Sequence, residues 1–260
     1  MGRARGRPHT VIAVLDVAFI PGAAADEQVI AEFEAAAPRR GRHVWLARRM
    51  LRPFLSDFAL NGLFGTYPLF LLGTDHWREL LGDRVGGRLL DVGAAAGDVT
   101  ATLAPLHDSV VTTDTAWPMV RRLQRRGWES HCLDIADGPG PWTEPFDTVA
   151  LLNVLDRTSD APALLAEAVR ACRPDGTVIV AMALPYSPWH YLGGIPLRPR
   201  QRLALDGADF SGDVRRLIDF VLPAAGLDPL RWVRTPYVSV GQQGDDLYRL
   251  DCAVVVCRRR

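Results

Sequence analysis

Residues 88–100 have the sequence Arg-Leu-Leu-Asp-Val-Gly-Ala-Ala-Ala-Gly-Asp-Val-Thr, and this stretch decides the fold of the chain. The apolar residues before Asp91 predict the end of a buried parallel strand, with the acid at its tip. The small residues at 93–97 predict a tight turn, and Asp98 is typical of the first turn of a helix. Strand, turn and helix N-terminus together predict a cradle of backbone N–H groups that holds a ligand.

The nature of this ligand depends on two positions of the stretch. A dinucleotide fingerprint has a glycine that lets the backbone approach a pyrophosphate, and Ala95 stands there instead. Asp91 disfavours an anionic pyrophosphate but favours a ligand that carries an ammonium and a sulfonium group. The pattern D-x-G-x-x-x-G resembles the first motif of class I S-adenosylmethionine (SAM) methyltransferases. A nicotinamide cofactor and a purely structural turn are the alternatives.

Length and composition exclude several classes of function. The chain has 260 residues, 48% of them hydrophobic, which is enough for one large α/β domain with additions. Its formal net charge is zero, so no nucleic-acid partner is predicted. All 30 basic residues are arginine, which excludes Schiff-base catalysis and a Walker lysine. Four cysteines occur without metal-ligand spacing and predict reduced thiols and no metal site: Cys132, Cys172, Cys252 and Cys257.

The N-terminal part predicts a helical extension over residues 1–80 that caps the pocket, followed by a catalytic domain at 81–260. An apolar run at residues 11–20 is interrupted by Asp16 and is too short to span a membrane, so we expect a cytoplasmic chain without a membrane partner. Residues 60–65 contain an Asn-Gly turn signal among apolar residues. They predict a lid or pocket-wall loop, or alternatively a cap packed on the core.

The remainder alternates between strand and helix patterns. This order predicts a doubly wound parallel sheet that ends in two antiparallel strands, a pair that a plain Rossmann dehydrogenase lacks. The fold class is therefore α/β, a Rossmann-like class I SAM methyltransferase with a mostly parallel seven-stranded sheet and a C-terminal antiparallel pair. The predicted strands are residues 89–92, 109–113, 128–133, 146–152, 177–184, 228–237 and 250–257.

The strand ends supply the predicted cofactor site. Asp114 follows Asp91 by 23 residues, close to the spacing at which an acid receives ribose hydroxyls, and a helix N-cap is the compatible alternative. Asp134 and Ile135 end the third strand, where class I methyltransferases often hold the adenine; ordinary loop residues are the alternative. The predicted cofactor-binding residues are Asp91, Gly93, Ala94, Gly97, Asp114, Thr115, Asp134, Ile135 and Asn153.

The mouth of the pocket is predicted at the end of the fourth strand. Asn153 and Asp156 follow that strand, and ligands bind beyond the carboxyl ends of parallel strands. For Asp156, a helix N-cap or a salt bridge to Arg157 is the alternative. Residues 185–212 are rich in aromatic residues, proline and glycine, and they predict a substrate-facing loop. The scattered histidines are interpreted as structural or solvated, and a place at the border of the pocket is the alternative for His190 in this loop.

Several collinear segments from about residue 55 to the C-terminus resemble one family, the DREV or methyltransferase-like nine proteins. The segment after the fourth strand and the Asn-Gly-Leu-Phe-Gly element are unusual among methyltransferases, so their joint occurrence is specific. The matching segments are residues 61–65, 89–93, 97–100, 152–157, 183–186, 193–194, 222–226, 236–237 and 248–254. The sequence departs from the family at Ala95-Ala96, where a Gly-Asp pair is usual, and at Asp114, where a Glu is usual.

The resemblance implies SAM-dependent methylation of the pros nitrogen of histidine in a peptide or protein, in His-x-His sequences or in a ribosomally made precursor peptide. It implies SAM contacts by Asp91, Gly93 and Asp114. It also implies that four residues contact the substrate imidazole: Asn153, Asp156, Tyr237 and Tyr248. A methyltransferase of a small natural product and a non-catalytic SAM-fold binding protein are the alternatives.

Overall fold

The computed structural model describes residues 17–20, 27–37, 40–192, 194–240 and 247–260. The strands within these ranges are β1 (Ala18–Phe19), β2 (Leu69–Phe70), β3 (Arg88–Val92), β4 (Ser109–Asp114), β5 (Glu129–Cys132), β6 (Phe146–Leu152), β7 (Cys172–Ala183), β8 (His190–Leu192), β9 (Ile195–Leu197), β10 (Leu227–Val240) and β11 (Leu247–Arg259). The helices are α1 (Glu27–Ala36), α2 (Arg42–Leu51), α3 (Asp57–Phe64), α4 (Thr74–Leu81), α5 (Thr100–Leu103), α6 (Trp117–Arg125), α7 (Ala161–Ala171), α8 (Phe210–Arg216) and α9 (Leu222–Ala224).

Seven long strands form the main sheet in the order β10-β11-β7-β6-β3-β4-β5. Strands β7, β6, β3, β4 and β5 are parallel, whereas β11 is antiparallel to both β7 and β10. This arrangement confirms the predicted fold class, including the C-terminal antiparallel pair. The two-residue strands β1 and β2 both pair with β10 and extend the sheet beyond the seven predicted strands.

Helices cover both faces of the sheet, because successive side chains of a strand point to opposite faces. Leu89 packs with α4 and α5 on one face, and its neighbour Leu90 packs with α7 to α9 on the other. Both leucines have no exposed surface. Truncation of such a fully buried leucine to alanine costs about 2–5 kcal/mol of unfolding free energy. The strand that ends at Asp91 is therefore rigidly held.

Residues 60–65 were wrongly predicted to form a loop, because they belong to helix α3 and its C-cap. Ser56 caps the N-terminus by accepting a hydrogen bond from the backbone N–H of Ala59 at 3.1 Å, and Gly65 ends the helix in the left-handed conformation. Gly62 faces α6, where a Cβ atom would lie 2.8 Å from the backbone nitrogen of Met119. Close helix packing, not a turn, therefore explains the glycine.

Helix α4 is continuous with the core rather than separate from it. Its residues Trp77, Leu80 and Leu81 are buried in the same cluster as Leu89. The division of the chain at residue 80 stays a prediction. None of the helices in the described ranges has the length and apolar character that crossing a bilayer requires.

Candidate active site

A cavity of about 1190 Å³ lies beyond the carboxyl ends of β3, β4 and β6 and extends outward between α2, α3 and the β8–β9 hairpin. Parallel α/β sheets bind ligands at this edge. The predicted site residues that line the cavity are Asp91, Gly93, Ala94, Asp114, Thr115, Asp134, Ile135, Asn153, Asp156 and Tyr237. Gly97 and Tyr248 are the two predicted residues that do not line it.

Asp91 is buried at the inner end of the cavity. Its Oδ2 accepts a hydrogen bond from the Thr100 hydroxyl at 2.6 Å, while its Oδ1 has no hydrogen-bond partner in the described part of the chain. Burial raises the pKa of the Asp91 carboxyl to about 7, and the negative charge of Asp114 adds to this shift. A buried carboxylate oxygen without a partner fits a cationic donor such as an ammonium group.

Asp114 anchors the turn that follows β3. Its two oxygens accept hydrogen bonds from the backbone N–H groups of Ala95, at 3.0 Å, and Ala116, at 2.8 Å. Helix α6 begins at Trp117 with Ala116 as its N-cap, so Asp114 stabilises the approach to the helix without being the cap. Burial raises the pKa of Asp114 to about 6. Each carboxylate oxygen can accept a further bond, as binding to ribose hydroxyls requires.

The turn itself explains the small residues of the sequence stretch. Gly93 has a φ of +70°, and a Cβ atom there would lie 2.6 Å from Cγ2 of Val154. Gly97 likewise has a φ of +78°, and a Cβ atom there would lie 2.5 Å from the ring of Trp128. Ala95 has a φ of +50°, which is strained for a residue with a side chain, and packs against the cluster that contains Met119.

Asp134 and Ile135 occupy the cavity wall next to β5. The Asp134 carboxylate accepts a hydrogen bond from the backbone N–H of Ala136 at 2.9 Å and so caps the short helical turn Ile135–Asp137. Burial raises the pKa of Asp134. The cap occupies one oxygen of the side chain, which leaves the other available to an amino group of a ligand.

Asn153 stands in a left-handed conformation, with a φ of +57°, directly after β6. Its Oδ1 accepts a weak hydrogen bond from the Cys252 thiol at 3.5 Å, whereas its buried Nδ2 has no partner in the described residues. Strained backbone and an orphaned polar atom cluster at functional sites. The amide of Asn153 is therefore available to a bound molecule.

Asp156 is buried at the centre of the cavity wall. Oδ2 pairs with Nη1 of Arg157 at 2.5 Å, so the predicted salt-bridge alternative is present, and Oδ1 is buried without a partner within the described ranges. The N-cap of the next helix is Asp160, which excludes the N-cap alternative for Asp156. Burial raises the pKa of Asp156 to about 6, and the charge of Arg157 opposes this shift.

The two predicted tyrosines differ in position. Tyr237 lines the cavity, and burial together with the negative charge of Asp156 raises the pKa of its hydroxyl. Tyr248 is about half exposed and lies on β11 outside the cavity. The structure thus brings Tyr237, but not Tyr248, to the wall that contains Asp156.

The outer wall of the cavity is formed by Phe58, Trp189 and Tyr191, and the sequence predicted pocket-facing segments here but not the contacts that join them. The ring of Phe58 stacks on Trp189 with centroids 5.9 Å apart, and Tyr191 meets both rings edge-on. The Tyr191 hydroxyl donates a hydrogen bond to Asp57 at 2.7 Å. These contacts join α3 to the aromatic segment after β7, which lines the cavity as predicted. His190 also lines the cavity, which agrees with the alternative for this residue rather than with the structural or solvated interpretation. Leu60 and Asn61, from the range predicted as a pocket wall, line it as well.

The inner half of the cavity fits SAM. The Asp91 oxygen that has no partner among the described residues suits the ammonium group, the Gly93 turn brings main-chain atoms to the cavity lining, and Asp114 suits the ribose. The acids of this half also suit the positive sulfonium. Within the described residues, no group of three or more His, Cys, Asp or Glu side chains could hold a metal ion.

Known proteins share parts of this sequence and fold. A demethylmenaquinone methyltransferase from Beutenbergia cavernae is 33% identical over 147 residues, which cover 51% of this chain and 59% of that protein. One from Tropheryma whipplei is 28% identical over 151 residues, covering 54% and 60%. The match thus spans about three fifths of the length of these relatives. The crystal structure of the [4+2]-cyclase SpnF superposes with a TM-score of 0.51 at 16% identity, covering 86% of this chain and 97% of SpnF.

The model of the DREV methyltransferase family matches residues 41–259. This range contains α2 and α3, the whole seven-stranded sheet and every residue of the cavity named above. The match confirms the resemblance found in the sequence and the prediction of SAM as the methyl donor. The chain belongs to the DREV methyltransferase family.

Proposed function

We propose that the protein is a SAM-dependent methyltransferase that modifies the pros nitrogen (Nδ1) of histidine in a peptide or protein. The observation that carries this proposal is the Oδ1 of Asp156, which lies in the same cavity wall as Asn153 and is buried without a partner among the described residues. When bound, SAM supplies an electrophilic methyl group next to this wall. The acids that would hold it are Asp91, Asp114 and Asp134.

Asp156 suits an imidazole acceptor for a chemical reason. A neutral imidazole carries a proton on one nitrogen and a lone pair on the other. A carboxylate that accepts the tele N–H fixes this tautomer and leaves the pros nitrogen free to react. It also stabilises the positive charge that develops on the ring during methyl transfer.

Asn153 and Tyr237 complete this wall. The free amide N–H groups of Asn153 can donate to a backbone carbonyl of the substrate, and the Tyr237 hydroxyl can donate or accept. Together these side chains orient the ring within the short distance that an in-line displacement requires. The chain therefore contributes orientation, charge stabilisation and exclusion of water.

A small-molecule acceptor is the second candidate. It is supported by the size of the cavity and by the partial similarity to demethylmenaquinone methyltransferases. Asp156 would then act as a base or hydrogen-bond acceptor for a different nucleophile. A quinol acceptor carries no imidazole, so the two candidates predict different products.

The decisive experiment incubates the purified protein with methyl-labelled SAM and a peptide that contains a His-x-His sequence with a small middle residue. We expect label on histidine and an NMR assignment to the pros nitrogen. A matched peptide with phenylalanine in place of both histidines is the control. Label on the tele nitrogen would contradict the role of Asp156, and transfer only to a demethylmenaquinol analogue would favour the second candidate.

A further inference from the structure

Charge is segregated along the cavity. The inner half is acidic and contains Asp91, Asp114 and Asp134. The outer wall continues on α2 and the residue after it, where the arginines that line the cavity are Arg48, Arg49 and Arg52. Asp57, at the start of α3, is the acid that faces these arginines. The outer wall therefore carries an excess of positive charge.

The existing contacts of the outer wall do not neutralise this excess. Asp57 is shared by Arg48, Arg52 and the hydroxyl of Tyr191. Arg48 is buried and donates to Asn61 and Thr66, so it acts within the wall. Arg52 is 65% exposed, and Arg49 is exposed without a hydrogen bond or ion pair to the described residues. Two guanidinium groups at the rim are therefore available to an anion.

Exposed apolar side chains lie on the same helical segment as these two arginines and on the adjacent hairpin, with Leu46 and Met50 outside the cavity lining. Leu46, Met50 and Phe54 are spaced four residues apart and are 62%, 68% and 79% exposed. The β8–β9 hairpin adds the exposed Leu192 and Ile195. An exposed apolar patch beside a cavity marks a binding surface.

The hairpin and α2 form one continuous rim. A Cβ atom on Gly194 would lie 2.4 Å from the carbonyl oxygen of Arg52, so the hairpin tip touches the end of the helical segment. Phe54 and Leu192 also line the cavity. A peptide that places one side chain deep in the cavity can therefore contact this rim.

We propose that this rim is a subsite for an acidic side chain, flanked by aliphatic ones, of the peptide whose histidine is methylated. The inference rests on the proposed function for its substrate class. Charge complementarity with Arg49 and Arg52 selects the acid, and the concave wall admits an extended chain rather than a flat lipid surface.

The test measures binding separately from methylation. Fluorescent peptides with Glu and Leu on both sides of an alanine, in place of histidine, are titrated into the full protein with S-adenosylhomocysteine present. We expect them to bind about tenfold more tightly than matched Lys-flanked peptides, with an affinity that falls as salt rises. The double variant R49E/R52E should reverse this preference. The matched control R125E/R215E changes exposed arginines outside the cavity and should keep it.

Each result has one meaning. Equal affinity for the two peptide types, or no effect of R49E/R52E, overturns the subsite, even if histidine peptides are methylated. If Glu-flanked peptides bind more tightly but the same peptides with histidine in place of alanine are not methylated, the proposed function is overturned and the subsite is not. Vesicles of phosphatidylcholine with phosphatidylglycerol serve as a third probe. Arginine-dependent binding to them without any peptide preference overturns the proposal in favour of a membrane surface.

Discussion

The carboxylate of Asp156 is paired on one oxygen only: Nη1 of Arg157 lies 2.5 Å from Oδ2, and Oδ1 is buried without a partner in the part of the chain that the structure describes. The guanidinium of Arg157 in turn lies 4.5 Å from the centre of the Trp189 ring. Trp189 of the outer wall thus fixes the position of the Arg157 guanidinium, which in turn fixes the carboxylate of Asp156. A rigid carboxylate with one open acceptor site is what the proposed reaction requires.

Replacement of Asp156 by asparagine should remove charge stabilisation while keeping the shape of the side chain. We expect kcat with a His-x-His peptide to fall about 100-fold or more, the range found when one transition-state contact is lost. SAM affinity, measured by calorimetry, should change less than about twofold, since Asp156 lies outside the acids that suit SAM. Turnover equal to that of the wild type would remove the assigned role.

Replacement of Arg157 by glutamine should shift the pH dependence of the reaction. Burial already raises the pKa of Asp156 to about 6, and loss of the neighbouring cation raises it further. The carboxylate then ionises at higher pH, so the variant should lose activity near pH 6–7 and recover by about pH 9. A pH–rate profile checks this.

The control for this shift is Arg200→Gln, which removes the partner of another buried acid, Asp160, outside the cavity. The substrate imidazole titrates in all three proteins and cancels in the comparison. A profile for Arg157→Gln that coincides with that of Arg200→Gln would contradict the coupling of Arg157 to Asp156.

Tyr237 and Tyr248 should respond differently to loss of the hydroxyl. Tyr237→Phe removes a polar group from the cavity wall, and a lost hydrogen bond costs about 0.5–1.5 kcal/mol, or up to about tenfold in kcat/KM. Tyr248→Phe alters a half-exposed side chain outside the cavity and should change kcat/KM less than about twofold. A larger effect at Tyr248 would place the substrate along β11.

The raised pKa of Asp91 predicts that cofactor affinity depends on pH. Its pKa is raised to about 7, so the carboxyl is largely protonated at pH 5.5 and ionised at pH 8. Only the ionised form attracts an ammonium group, and affinity for S-adenosylhomocysteine should therefore increase about tenfold over this range. Asp91→Asn should bind weakly with a much flatter profile by calorimetry. A variant that matches the wild type at every pH would exclude the contact.

Ionisation of Asp91 lowers the free energy of unfolding as pH rises, whereas it raises the affinity for the cofactor. Without a ligand, the folded protein keeps a proton on Asp91 that the unfolded chain has already released, so its free energy of unfolding falls as pH rises from about 4 to 7. Thermal unfolding of the ligand-free protein should show this decrease, and Asp91→Asn should reduce it.

The sheet and its helices could be predicted because their signals are local. The strands predicted at 89–92, 109–113 and 146–152 agree with β3, β4 and β6 to within one residue at each end. Each combines an uninterrupted hydrophobic pattern with clear caps or turns at its ends. Cradle residues such as Asp91 could be placed for the same reason, since strand, turn and helix follow one another directly in the sequence.

The outer wall could not be predicted because its contacts join distant segments. Asp57 and Tyr191 are 134 residues apart, and nothing in either segment indicates the other. The Asn-Gly pair at 61–62 was assigned to a turn from composition alone, whereas packing of α3 against Met119 favours the helix. Tyr248 was implied by the family resemblance, and it lies at the start of β11, two residues before Leu250, which lines the cavity.

The contact of Gly62 with the start of α6 has an evolutionary consequence. The residue before this helix, Ala116, donates its N–H to Asp114. Helix α3 therefore packs directly against the backbone that holds Asp114, the acid that suits the ribose of SAM. Any replacement of helix α3 that changes the substrate range would have to keep a glycine at position 62, where it contacts α6. Substrate specificity can thus change through substitutions in the rim, while the glycine at position 62 is kept.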